Sequence, residues 1–213
     1  MELTAMNKRR IRELAKTFCE KDKHFKNKEL ESLILEFYEF LGQKVKPGLE
    51  EHGVDRGKFK VYLHDMFRLS KEKMTDGIFR VFDKDRDGLL NLEEWLKGMA
   101  LFLRGTFEEK IKHAFAVYDL NENGEITREE MFYFLKDTLP GLPPEENLEE
   151  AVKFLVEIPM KRMDTNKDGI VTLVEYEAAV KKEYLLLEAF GPCLPDTMTT
   201  RKFQERVFEK RLE

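Results

Sequence analysis

Twelve-residue segments beginning at Asp83, Asp119 and Asp164 repeat one spacing: an acid or amide at positions 1, 3 and 5, glycine at position 6 and glutamate at position 12. Carboxylates crowded this closely oppose one another's ionisation unless a cation is placed among them. The spacing is that of an EF-hand loop, in which four side chains and the position-7 carbonyl surround a hard cation that takes six to eight oxygens. The first loop offers Asp83, Asp85, Asp87, the carbonyl of Leu89 and Glu94, with Gly88 at the turn and Asn91 at position 9. The second offers Asp119, Asn121, Asn123, the carbonyl of Glu125 and Glu130 around Gly124. The third offers Asp164, Asn166, Asp168, the carbonyl of Ile170 and Glu175 around Gly169. Ordinary surface turns also select Asp, Asn and Gly. Three complete copies, each between helical patterns, exceed what turn composition produces.

Ligand carboxylates number four, two and three in the loops at Asp83, Asp119 and Asp164. Affinity follows ligand charge and rigidity, so the Asp83 loop is expected to bind most tightly and the Asp119 loop most weakly. Glutamate at position 12 favours bidentate calcium over octahedral magnesium. The expected cofactor is therefore calcium at three sites, with magnesium in competition.

Apolar residues at helical spacing flank each loop, as a helix-loop-helix unit requires. Met74, Ile78 and Phe82 lead into the first loop and Trp95, Met99 and Leu103 lead out. Ile111, Phe115 and Tyr118 precede the second, where Thr106 and Glu109 form a capping box, and Met131 and Leu135 follow. Val152, Val156, Met160 and Met163 precede the third; Tyr176, Val180, Tyr184 and Leu187 follow. Pro159 predicts a kink or break in the helix entering the third loop. Leu90, Ile126 and Val171 stand at position 8, where two loops can pair as a short β-ladder, and such pairing calls for an even number of loops.

A fourth hand is expected upstream, from a helix over Leu30–Leu41 and a second carrying Phe59, Leu63 and Phe67. Counting back from Phe59 puts Lys58 at position 12, Val54 at position 8, His52 at position 6 and Pro47 at position 1. An ammonium at position 12 leaves that loop without its bidentate carboxylate. The fold class predicted is thus all-α: four EF-hand units in two pairs, the first hand degenerate, short β-ladders between paired loops and an extra C-terminal helix. Residues 1–28 form a basic N-terminal helix region, 29–104 the N-terminal pair and 105–190 the C-terminal pair. A Pro/Gly-rich insertion, 138–149, falls within that second pair, and residues 191–213 form a tail helix with Phe203, Val207, Phe208 and Leu212. The tail helix either faces a partner or folds back onto the body.

The 213 residues, 42% hydrophobic and 37% charged, suit a folded soluble protein. No apolar run is long enough to span a membrane, and the opening Met1-Glu2-Leu3 has neither a signal-peptide core nor a glycine to carry myristate. An intracellular, monomeric chain without an N-terminal lipid anchor is expected. Cys19 and Cys193 are too few for a disulfide framework and are read as reduced thiols. Residues 1–28 hold nine Lys or Arg against four acids, a charge of +5 that leaves −10 for the remainder. Such a run is either a solvated helix face or an attraction for an acidic partner. No nucleic-acid module is present. His24, His52, His64 and His113 show no triad or metal-ligand spacing, and no catalysis is expected.

The runs Arg80-Val-Phe-Asp, Arg104-Gly-Thr-Phe-Glu-Glu-Lys110, Tyr118-Asp and Ile126-Thr-Arg-Glu-Glu-Met131 resemble the neuronal calcium sensor, or recoverin-like, family across most of residues 30–187. That family has four hands with the first disabled, commonly by a Cys-Pro pair; here Pro47 lacks the preceding cysteine. Phe102-Leu-Arg-Gly and the stretch from Tyr184 to Asp196 resemble an axonemal branch of the family more closely. This resemblance implies a cytoplasmic, cytoskeletal protein of the cilium or flagellum axoneme. It also implies calcium-dependent binding to an outer-arm dynein heavy chain and to tubulin, with control of beating.

A sensor exposes an apolar groove when calcium opens its hands, whereas a buffer barely opens. Candidate groove residues are Trp95, Met99, Phe102, Phe115, Met131 and Phe134, with Phe37, Phe59 and Met66 from the degenerate hand. The same stripes are what a core requires. The alternatives to a dynein sensor are a regulatory subunit of another enzyme, a phosphatase or kinase, and a cytosolic calcium buffer.

Overall fold

The computed structural model describes residues 5–42, 53–136 and 148–209. In order these form α1 (Ala5–Lys21), α2 (Asn27–Leu41), β1 (Val54–Asp55), α3 (Arg56–Phe67), α4 (Glu72–Phe82), β2 (Leu89–Leu90) and α5 (Leu92–Arg104). There follow α6 (Phe107–Tyr118), β3 (Glu125–Thr127), α7 (Arg128–Leu135), α8 (Leu148–Met163), β4 (Ile170–Thr172), α9 (Leu173–Lys182) and α10 (Thr197–Gln204). The two ladders form at the expected residues: β1 pairs antiparallel with β2, Val54 opposite Leu90, and β3 with β4, Ile126 opposite Val171. Each helix leaving a ligand loop starts at a capping box, Asn91 with Glu94, Thr127 with Glu130 and Thr172 with Glu175, so the position-12 glutamate is also the third residue of the helix it begins.

The chain divides into two compact units, residues 1–68, 82–105 and 195–213 in one, and 69–81 with 106–194 in the other. In the first unit the aromatic rings make a continuous core. Trp95 packs on Phe37 at 5.5 Å, Phe59 on Phe82 at 5.4 Å and Phe82 on Phe102 at 5.1 Å between ring centres. A Cβ at Gly98 would lie 2.0 Å from a Phe82 ring carbon, so this helix position has room for nothing larger than glycine.

The tail helix folds back. Asp196 caps α10 by accepting from the Thr199 amide, and Phe203, Val207 and Phe208 are buried. Phe203 lies 5.1 Å from Phe67, and Phe208 meets Phe25 edge-on at 5.9 Å. Gln204 Nε2 donates to the Leu103 carbonyl, which sets α10 beside Phe102. Buried Glu36 is satisfied by Arg206 at 2.5 Å and by the Tyr62 hydroxyl at 3.2 Å. Arg104 donates to the His24 carbonyl at 2.6 Å, pairs with Glu29 and lies over the Phe25 ring. These contacts gather the α1–α2 connection, α2, α5 and residues 203–208 at one point.

In the second unit Phe115 packs on Tyr176 at 5.7 Å and Tyr118 on Phe134 at 5.5 Å. Residues after α9 complete this core: Leu186, Leu187, Phe190, Cys193 and Leu194 are all buried, and Phe190 meets Tyr118 edge-on at 4.9 Å. Tyr118 donates to the Gly191 carbonyl at 2.7 Å and Tyr176 to the Leu187 carbonyl at 2.5 Å. Burial drives both phenols and the Cys193 thiol to higher pKa, so all three stay protonated. Cys19 and Cys193 are both free thiols.

Three local expectations are corrected. α8 runs through Pro159 to Met163 as a single helix instead of breaking, its Val152, Val156, Met160 and Met163 stripe buried throughout. It begins at Leu148, so the last two residues of the segment read as a loop are helical. α9 stops at Lys182 and gives way to a 3₁₀ turn over Tyr184–Glu188, which leaves Tyr184 exposed and stacked on Phe107 at 5.8 Å. The remainder of the Pro/Gly-rich insertion, 138–147, and Pro47, His52 and Leu212 lie outside the described residues.

Candidate metal centres

The three ligand loops share one backbone course. Position 4 is left-handed in each, at Arg86, Glu122 and Lys167, with φ of 61°, 54° and 64°. Position 6 is left-handed again, at Gly88, Gly124 and Gly169, with φ of 83°, 83° and 91°. Added Cβ atoms at Gly88 and Gly124 would meet nothing within 4 Å, so glycine is required there by conformation, not by space. The two left-handed residues curl the chain so that its oxygens face inward.

Hydrogen bonds orient those oxygens within each loop. The position-1 carboxylate accepts from the position-6 amide in every loop: Asp83 from Gly88 at 3.0 Å, Asp119 from Gly124 at 2.8 Å and Asp164 from Gly169 at 3.0 Å. Position-5 side chains accept from the amide two residues on, as in Asp87 from Leu89 at 2.7 Å and Asp168 from Ile170 at 3.0 Å. The position-12 carboxylate spans the loop. Glu94 accepts from Lys84 and Asp85 amides on one oxygen and from the Asn91 amide on the other. Glu130 and Glu175 repeat this, Glu130 with Asn121 and Thr127, Glu175 with Thr165, Asn166 and Thr172. Burial opposes ionisation of Glu175, but the donors from Thr172 and Thr165 outweigh it and hold the carboxyl down at about 2.

Asp83, Glu94, Asp119, Glu130 and Glu175 are buried acids. Burial of a carboxylate is costly without compensation. At Asp83 the compensation is incomplete: its Oδ1 is buried without a hydrogen-bond partner. Asp83, Asp85 and Asp87 present carboxylate oxygens within 4.8 Å of one another. An orphaned buried oxygen inside a cluster of hard donors fits a hard divalent cation. Asp83, Asp85, Asp87, the Leu89 carbonyl and Glu94 would hold it there, and the corresponding residues would do so in the other two loops.

The hand expected to be degenerate keeps the ladder and the helix cap. Val54 pairs with Leu90, so the register counted from Phe59 holds at this end of the loop. Asp55 caps α3 by accepting from the Lys58 amide at 2.9 Å, as Asn91 caps α5. Lys58 stands where the other loops carry glutamate, and its ammonium lies 4.0 Å from Asp55.

The candidate groove residues Trp95, Met99, Phe102, Phe115, Met131 and Phe134 are buried, as are Phe37 and Phe59, while Met66 is half-buried. Two features escaped the sequence reading. One is a cleft of about 740 Å³ between α7 and α8, lined by Phe132, Phe154 and Val156 with Glu129, Glu150 and Lys153 among its polar residues. Phe154, exposed and off the buried stripe of α8, was its visible signal. The other is Arg80, whose guanidinium takes four backbone carbonyls of the next hand.

Paired helix-loop-helix units with this oxygen set define an EF-hand calcium-binding protein. A family model for an EF-hand domain pair matches residues 108–181, and one for a single EF hand matches residues 74–102. Over nearly the whole chain the sequence is 46% identical to calaxin of Danio rerio, covering 96% of this chain and 97% of that protein. It is 45% identical to calaxin of Homo sapiens, covering 96% of each, and 43% identical to calaxin of Xenopus laevis, covering 95% and 97%. The chain belongs to the calaxin family. Among the described residues, no helix is long and apolar enough to cross a membrane.

Proposed function

We propose that this protein is a calcium sensor of the ciliary or flagellar axoneme that binds an outer-arm dynein heavy chain, with tubulin adjoining, and tunes beating as calcium rises. The observation that carries the reading is the full-length relationship to calaxins, which includes the basic N-terminal region and the stretch from Tyr184 to Asp196, both outside any ligand loop. The resemblance to an axonemal branch of the calcium sensors rests on Phe102-Leu-Arg-Gly and on that same stretch from Tyr184 to Asp196. All three complete loops take calcium in this reading, with magnesium competing at resting calcium. The protein acts by binding, not by catalysis, and as a monomer.

A sensor reading is favoured over a buffer by what fills the hands. Phe190 and Leu194 in one unit, and Phe203 and Phe208 in the other, are additional segments laid into aromatic cores, which storage of calcium does not require. Calcium shifts such a protein only through its different affinity for the closed and open states. The test is an affinity pull-down from ciliated-cell extract with the full-length protein, in calcium and in EGTA with magnesium, read by mass spectrometry. Recovery of an outer-arm dynein heavy chain mainly in calcium is expected. Recovery of a phosphatase or kinase without dynein would replace the reading with that of an enzyme's regulatory subunit, and no partner in either condition would leave a buffer.

A further inference from the structure

Lys73, Gly77 and Arg80 occupy one face of α4, spaced four and three residues apart. All three meet the hand that carries the Asp119 loop. Lys73 Nζ donates to the Tyr133 carbonyl at 2.7 Å and lies 4.4 Å from the centre of the Tyr133 ring, near the end of α7. Gly77 rests on α6: an added Cβ would fall 2.8 Å from Val117 Cγ1 and 3.1 Å from the Val117 carbonyl oxygen, an approach that requires glycine. One turn further, the Arg80 guanidinium donates to the carbonyls of Ala116 at 2.8 Å, Val117 at 3.0 Å, Asp119 at 3.0 Å and Leu120 at 3.1 Å. It also pairs with Glu122 at 3.6 Å.

The end of a helix leaves its last carbonyls without backbone donors and carries partial negative charge. Arg80 meets both needs for α6, and it reaches positions 1, 2 and 4 of the Asp119 loop through Asp119, Leu120 and Glu122. The helix that bears Arg80 ends at Phe82, one residue before Asp83. One helix therefore leads at its end into the first ligand of one loop and frames the beginning of the next loop from its side. Any reorientation of α4 on occupancy of the Asp83 loop carries Lys73, Gly77 and Arg80 with it and displaces the Asp119 and Leu120 carbonyls.

We propose that Arg80 is a positioning residue that couples the two loops, so that calcium at Asp83 changes the affinity of the Asp119 loop and the reverse. Linkage makes the effect equal in both directions. The inference rests on the reading of these loops as calcium sites and is independent of the dynein partner.

The position-6 glycines provide a readout for each loop, because each amide is bonded to its own position-1 carboxylate. Calcium titration of the full-length protein labelled with nitrogen-15 glycine is followed by NMR at Gly88, Gly124 and Gly169. In the native background, Glu94→Gln should move the Gly124 midpoint by about fivefold or more, the lower end of ordinary coupling between sites. In an Arg80→Ala background the Gly124 midpoint should be the same with or without Glu94→Gln. Arg80→Lys keeps the charge but loses the fork that reaches several carbonyls, and should retain less than half of the coupling measured on a logarithmic scale. An equal shift in the native and Arg80→Ala backgrounds, or no shift in the native one, overturns the proposal.

Calcium-dependent movement of Gly169 in Arg80→Ala shows that the variant is folded. If it is not, Gly77→Ala serves instead, since its Cβ forces α4 away from α6 with Arg80 retained; coupling at the native size in that variant overturns the proposal. Failure of all three glycine amides to respond to calcium in the native protein would instead remove the calcium reading, and the coupling with it.

Discussion

The hand built by α2 and α3 and the hand built by α4 and α5 share a ladder and a cap, yet one carries Lys58 where the other carries Glu94. Val54 and Leu90 face each other across the two-residue strands, and Asp55 and Asn91 cap the following helices by the same bond to the amide three residues on. Among the described residues the difference falls at position 12. Glu94 closes its loop by accepting from amides at both ends, whereas Lys58 can only donate. The comparison teaches that the scaffold of a hand is held by apolar pairing and capping, and that metal chemistry is laid over it by a few oxygens. A hand can therefore lose its ion and still serve as the structural partner of one that binds.

The strongest way to break the comparison is Glu94→Lys, which gives the Asp83 loop the residue of its degenerate neighbour. Calcium affinity there should fall by more than about tenfold, with the helical circular dichroism retained. A global loss of helix would show that the acid supports the fold itself. Calorimetry on Glu94→Gln, Glu175→Gln and Glu130→Gln should find the tightest, intermediate and weakest event removed in turn, following ligand charge; loss of the tightest event in Glu130→Gln would place packing above charge.

Cap removal is a smaller effect and should be shared. Asp55→Ala and Asn91→Ala are each expected to cost about 1 kcal/mol in calcium-free urea unfolding, the usual size for a lost N-cap. A cost confined to Asn91 would mean that the two caps are alike only in geometry. Smaller again is an acid limb of stability. Glu175 has its carboxyl held at about 2, so its contribution is complete above about pH 4.5 and disappears as pH falls toward 2. Calcium-free Glu175→Gln should lose that portion of the pH dependence, and an unchanged acid limb would assign it to other carboxyls. The smallest expected effect is none: Lys58→Glu should create no calcium site, because Pro47 and Leu49 stand at positions 1 and 3 of the register and supply no side-chain oxygen. A new calorimetric event would contradict that register.

Most of what was legible in the sequence is local. A loop of twelve residues contains its own ligands, its glycine and its cap, so Asp83, Asp119 and Asp164 could be read from spacing alone. The ladders followed because position 8 is fixed relative to position 12, and even the degenerate loop disclosed its register through Val54. What was illegible depends on residues far apart in the chain. The direction faced by α10 is set by Phe203 against Phe67 and Phe208 against Phe25, and apolar spacing alone does not say which surface a stripe will meet. Arg80 looks in the sequence like one more surface cation, since its partners are carbonyls, which every residue has. Of the kink or break expected at Pro159, the break does not occur: the buried stripe of α8 continues on either side of it.

The first unit takes residues 195–213 together with 1–68 and 82–105. A ribosome delivers the chain from its N-terminus, and domains fold as their residues become available. Every residue of the second unit has been made before α10 exists, so that unit can close while the first still shows Phe25 and Phe67 to the solvent. The part of this protein that is begun first is therefore the part whose last residues are made last.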